Sequence, residues 1–111
     1  MTQEKFNLLV EECIKNDSME DAWNLYFDND EFDPEKIEDF YIKKKSSYYL
    51  AELISINSDS INLDRLIDKI IASKDIDLIG EIALDNLIYD DISYIQREKL
   101  KKAAEELKNN V

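Results

Sequence analysis

Apolar residues recur at helical spacing along almost the whole chain. The densest stretch runs from Ser60 to Tyr94. Leu63, Leu66, Ile67, Ile70 and Ile71 fall at i, i+3, i+4, i+7 and i+8, one apolar face of a helix. Ser73-Lys74-Asp75 interrupts that face, with Asp75 as an N-cap. Ile76, Leu78, Ile79, Ile82, Ala83, Leu84, Leu87 and Ile88 then predict a second helix that is apolar nearly all round. Such a helix needs cover on more than one side, so it is expected at the centre of the fold.

Earlier in the chain, Thr2 predicts the cap of a first helix running to about Asn16. Its buried stripe is Phe6, Leu9, Val10, Cys13 and Ile14. Ser18 with Asp21 resembles a capping box opening a second helix, whose inward residues are Met19, Ala22, Trp23, Tyr26 and Phe27. Asp33 as N-cap, Pro34 at the first helical position and Glu35 at the positive end of the dipole mark a third start. Phe32 is placed to staple onto Ile37. From there the pattern continues to about Asn57 but weakens through Lys43 to Ser47, which predicts one bent helix or two. Ser93 with Gln96 caps the last helix, to about Lys108. Ile95, Leu100, Ala103, Ala104 and Leu107 are expected inside it, with Arg97, Glu98, Lys101 and Lys102 among its outward charges.

The fold class these elements predict is all-α. It is a single domain over residues 1–111 with about five to seven helices, either stacked antiparallel helix pairs or a helical bundle. Composition agrees with this. The chain has 111 residues, is 44% hydrophobic, and contains one Gly and one Pro, too few for a series of hairpin turns. Gly80, inside an apolar helix, is expected to let two helices approach closely.

Charge narrows the partners. Twenty-six acidic against fourteen basic residues give a net charge of −12. Direct nucleic-acid binding needs concentrated Lys and Arg, and anionic membranes would repel this chain. A basic protein partner is favoured by long-range steering. No apolar run reaches the roughly 20 residues of a membrane span, and the polar N-terminus shows no export signal, so the chain reads as cytoplasmic.

Chemistry is sparse. The chain has no His, and Cys13 stands alone as a buried structural thiol, with no disulfide to form. An EF-hand loop from Asp28 would need an oxygen ligand where Phe32 stands and Gly where Asp33 stands. No glycine-rich phosphate loop is present. No catalytic residue, metal, cofactor or small-molecule ligand is expected, and the protein reads as non-enzymatic.

The segment Asp17 to Asp39 carries ten acidic residues and one Lys, with aromatics interleaved in NLYFDNDEFDPEKIEDFY. Aromatics within an acidic rim suit a protein-binding surface. Its candidate contacts are Asp28, Asp30, Glu31, Asp33, Glu35, Glu38 and Asp39, with Tyr41 as an aromatic contributor.

The opening KFNLLVEECIKNDSMEDAW is similar in texture to the first helix and turn of nuclease-colicin immunity proteins. The chain departs from them in lacking their Tyr-Tyr-Pro segment. Residues 34–109, read as helical hairpins, resemble HEAT-like immunity proteins of contact-dependent toxin systems. The resemblance implies a non-enzymatic inhibitor that neutralises a cognate bacterial toxin, such as a nuclease. Two other readings fit the same composition. One is a phage-encoded inhibitor of a host defence nuclease, anti-CRISPR-like and mimicking nucleic acid. The other is a structural adaptor that uses an apolar helix face.

Overall fold

In the computed structural model, which describes residues 1–110, seven α-helices follow one another with no strand between them. They are α1 (Gln3–Lys15), α2 (Met19–Asp28), α3 (Glu35–Lys43), α4 (Ser47–Ser55), α5 (Leu63–Ala72), α6 (Ile76–Leu84) and α7 (Tyr94–Asn109). A single 3-10 turn, Asn86–Ile88, lies between α6 and α7. Four of the start signals act as read: Thr2, Ser18, Asp75 and Ser93 each accept a hydrogen bond from a backbone N–H of the helix they open. Ser46 and Asn62, not marked as caps by the sequence pattern, do the same for α4 and α5. At Ser93 the capping box with Gln96 is complete.

Three of the joints have the same backbone. Asp17, Lys45 and Lys74 adopt left-handed φ values of 52°, 57° and 57°, spaced by 28 and then 29 residues. Each follows the C-cap of an odd-numbered helix, and the next residue caps the following helix. At the first two joints the ends close as Schellman motifs. Ser18 N–H donates to Cys13 O and Asp17 N–H to Ile14 O; Ser46 N–H donates to Tyr41 O and Lys45 N–H to Ile42 O. At the third joint the Ser73 hydroxyl takes the Ile70 carbonyl instead, at 2.5 Å. A turn this tight makes neighbouring helices antiparallel. The chain is therefore three helix pairs, α1/α2, α3/α4 and α5/α6, plus a terminal α7.

Packing shows how the pairs stack. The odd-numbered helices touch in order, α1 on α3, α3 on α5 and α5 on α7. On the other side α4 packs on α6, and the Trp23 ring of α2 lies 6.5 Å from Tyr49 of α4. Two layers result, in a body of 44 × 27 × 20 Å. Between them lie Phe6, Val10, Tyr26, Ile37, Leu50, Leu53, Leu66, Ile70, Leu78, Ile79, Ile82 and Leu100, all essentially out of solvent. Burying each of the larger side chains contributes about 1.5–3 kcal/mol.

Several expectations change. The stretch from 34 to 57 is two helices, broken where Lys45 turns left-handed. Pro34 rather than Asp33 is the N-cap of α3, although the Asp33 carboxylate still accepts from Glu35 N–H at 3.0 Å. The Phe32 ring stacks on Phe6 of α1, with centroids 5.3 Å apart. The apolar helix of the centre stops at Leu84, because Asp85 takes an extended backbone and its side chain caps the following turn. Gly80 is not a close-approach position, since a Cβ built there would meet nothing within 4 Å. Leu9, Ile14 and Phe27 are exposed rather than buried. In α7 the burial of Ile95 and Arg97 is exchanged. Leu100, Ala103, Ala104 and Leu107 define the inward stripe, and one turn back from Leu100 that stripe meets Arg97, not Ile95.

Candidate functional site

Pairwise stacking gives the molecule two unlike edges. The tight turns inside the pairs lie along one, and the longer connections between pairs lie along the other. The turn edge is stitched by ion pairs between successive turns, Lys44 to Asp17 at 2.8 Å and Lys45 to Asp75 at 4.0 Å. The loop edge consists of residues 29–34, 56–62 and 85–93. These segments hold Asp30, Glu31, Asp33, Asp59, Asp85, Asp90 and Asp91, and not one Lys or Arg. Asp28, at the end of α2, adds to them.

Hydrogen bonds hold the loops side by side. The Tyr26 hydroxyl and the Ser60 hydroxyl lie 2.5 Å apart, and Ser60 Oγ donates to the Asp30 carbonyl at 2.6 Å. Ser58 Oγ donates to the same carbonyl at 2.9 Å. An open cleft of about 570 Å³ forms there, bounded by Asp30, Glu31, Ile56, Asn57, Ser58, Asp59 and Ser60. Burial raises the Tyr26 phenol above its usual range, so it remains a neutral donor. Further along, Gln96 of α7 donates to Asp64 of α5 at 2.7 Å, tying the third connection to the second.

Of the eight sequence-selected contacts, six divide between this edge and the outer surface of the odd-numbered layer, and two, Glu38 and Tyr41, are buried. Asp28, Asp30 and Glu31 are exposed on the loop edge, and none has an ion-pair partner among the described residues. Asp33, Glu35, Glu38 and Asp39 instead meet two cations of α5. Arg65 donates to both carboxylate oxygens of Asp33, at 3.0 and 2.8 Å, and to Glu38 Oε2 at 2.9 Å. Lys69 lies 2.7 Å from Glu35 and 2.8 Å from Asp39. Similar bridges run along the whole layer, from Glu11 to Lys36 at 2.5 Å and from Asp68 to Lys99.

Glu38 and Tyr41 are fully buried and cannot serve as surface contacts in this structure. The Tyr41 hydroxyl donates to Met19 O at 2.9 Å, and its ring stacks on Tyr49 at 4.9 Å. Both residues sit on the inner side of α3 because Ile37 and Phe40 set that face. Burial pushes the Glu38 carboxyl above the usual range, with Arg65 partly opposing it, and Glu38 Oε1 has no hydrogen-bond partner. The exposed Glu35 is held below its usual range by the Lys69 ammonium.

Sequence reading missed Asp59, Asp85, Asp90 and Asp91 as members of the same edge. The signal that could have found them was the repeated turn, which places every second connection on one side. Among the described residues no group of three or more His, Cys, Asp or Glu side chains is arranged to hold a metal ion. Cys13 is half-buried, and its thiol is pushed up by burial and by the neighbouring Asp21. No described helix is long and apolar enough to cross a membrane. No protein-family profile, curated protein or solved structure matches this chain.

Proposed function

We propose that this protein is a non-catalytic inhibitor that binds a basic protein through its acidic loop edge. A specific form of this reading is an immunity protein that neutralises a bacterial toxin, such as a nuclease. The observation that carries it is the segregation of charge. The three connections along this edge hold seven acidic residues and no base, and of these only Asp33 is engaged by a cation of the chain. On the outer surface of the odd-numbered layer, by contrast, Lys36, Arg65, Lys69 and Lys99 each meet a carboxylate of a neighbouring helix or connection. An unneutralised acidic edge steers a basic partner and complements the cationic site of a protein that acts on nucleic acid.

The experiment captures a basic protein from the source organism on the wild-type chain and co-expresses the two in a heterologous bacterium. Relief of growth arrest by the wild-type chain, with loss of relief when Asp30, Glu31 and Asp59 are reversed to Lys, supports the reading. Growth arrest relieved equally by the reversed variant would contradict it. The adaptor alternative draws on the exposed apolar residues of the α6–α7 corner. The defence-nuclease alternative shares the same acidic edge, and the identity of the protein captured separates it from toxin immunity.

A further inference from the structure

Five large apolar side chains gather where α6 ends and α7 begins. They are Leu84, Leu87, Tyr89, Tyr94 and Ile95, with 73, 75, 59, 75 and 77% of their surface exposed. They occupy one corner of the molecule, since a single connection joins the helices and these pack extensively on each other. Exposed apolar clusters of this kind mark interaction surfaces on folded proteins.

Several contacts anchor the corner. Ile88 and Ile92 anchor its backbone in the core. Arg97 donates to the Tyr89 carbonyl at 2.6 Å, and its guanidinium lies 3.9 Å from the centroid of the Tyr89 ring. The Ser93–Gln96 capping box fixes the start of α7. The apolar side chains are therefore presented on an ordered frame, which lowers the entropic cost of binding.

Charge identifies the occupant. From Asp75 to Gln96 the chain has six acidic residues and no Lys or Arg. Among the described residues Asp77, Glu81, Asp85, Asp90 and Asp91 have no ion-pair partner, whereas Asp75 meets Lys45. Like charges oppose a second copy of this chain at the corner, and the same acids oppose an anionic membrane. We infer that the α6–α7 corner docks a basic amphipathic segment of a partner protein, with aliphatic or aromatic side chains on Leu84, Leu87, Tyr89, Tyr94 and Ile95 and flanking Lys or Arg on the surrounding carboxylates. This rests on the proposed reading only in requiring a basic protein partner, and adds an apolar anchor at the far end of the loop edge.

Synthetic helical peptides test it on the isotope-labelled full chain by NMR. A leucine–lysine amphipathic peptide should shift the amides of residues 84–95 first. Its affinity should fall roughly tenfold in the Leu87→Ser/Tyr94→Ser double variant. Both positions are exposed, so circular dichroism of the variant should match wild type. A serine–lysine peptide lacking the apolar face and a leucine–glutamate peptide lacking the positive charge should each bind far more weakly. Shifts centred on residues 28–39, or an affinity unchanged in the double variant, would overturn the inference. Equal binding of the acidic peptide would also overturn it, as would dimerisation of the free chain that the double variant abolishes. Failure of these arms, together with a loss of growth rescue on reversing Asp30, Glu31 and Asp59, would discard the corner and leave the loop-edge reading standing.

Discussion

Arg65 of α5 and Asp33 of the first connection form a two-point ion pair with both carboxylate oxygens engaged. Gln3 completes the anchoring. Its amide donates to Asp33 O at 3.0 Å, and its carbonyl accepts from Asp33 N–H at 2.8 Å. Asp33 thus ties α1, α3 and α5 together. The same guanidinium also neutralises the buried Glu38.

Removing the cation should cost more than removing either acid. Arg65→Met leaves Glu38 buried without its partner, and urea unfolding should show a loss of about 2–4 kcal/mol. Glu38→Gln in the Arg65→Met background should restore a large part of that loss. An additive double variant would show that the two residues act independently.

Protonation of Glu38 gives a second test. Its folded pKa lies above the unfolded value, so its titration stabilises the fold below the usual carboxylate range, and that contribution is lost as pH rises through the folded value. Glu38→Gln, which cannot ionise, should therefore gain stability relative to wild type between pH 4 and pH 7. Glu35 has the opposite sign. Its depressed pKa stabilises above the usual range and is lost as pH falls. Glu35→Gln should accordingly be more destabilising at pH 7 than at pH 3. Parallel stability–pH curves for wild type and either variant would contradict these assignments.

Glycine stands where nothing requires it and is missing where the backbone would accept it. Gly80 lies within α6 with open space at its Cβ, so Gly80→Ala should raise stability by about 0.5–1 kcal/mol. Lys74 holds a left-handed φ of 57°, which suits Gly, so Lys74→Gly should also stabilise, by up to about 1 kcal/mol. Thermal melts would check both. A destabilised Gly80→Ala would mean that α6 relies on a contact absent from this structure.

Local signals were legible in the sequence because they act within one helical turn. Ser18, Asp75 and the Ser93–Gln96 box are such cases, as are the stripes of α3 and α5. Burial across helices was harder to read. Tyr41 and Glu38 belong to an acid-rich segment by composition, but the stacking of α3 between α1 and α5 turns them inward. The three left-handed turns inside the pairs escaped notice because none of Asp17, Lys45 and Lys74 is the Gly that usually marks that conformation. Without them the stacking remained one of two options, and Asp59, Asp85 and Asp90 could not be placed beside Asp30 and Glu31. The exposure of Leu84 and Leu87 was hidden by their apolar character, which in a pattern of hydrophobic positions reads as core.

The central claim is that recognition acts through the loop edge, and the association rate of the captured basic partner tests it most directly. Stopped-flow rates should be high at low salt and fall as ionic strength rises. Reversing Asp30, Glu31 and Asp59 to Lys should slow association roughly tenfold or more, whereas reversing Glu98, Glu105 and Glu106 on α7 should change it far less. These variants leave Asp33 and its ion pair untouched, so stability should stay near wild type. Equal slowing by the two sets of reversals would mean that the acidity acts only as a diffuse field, and would contradict a binding surface on the loop edge.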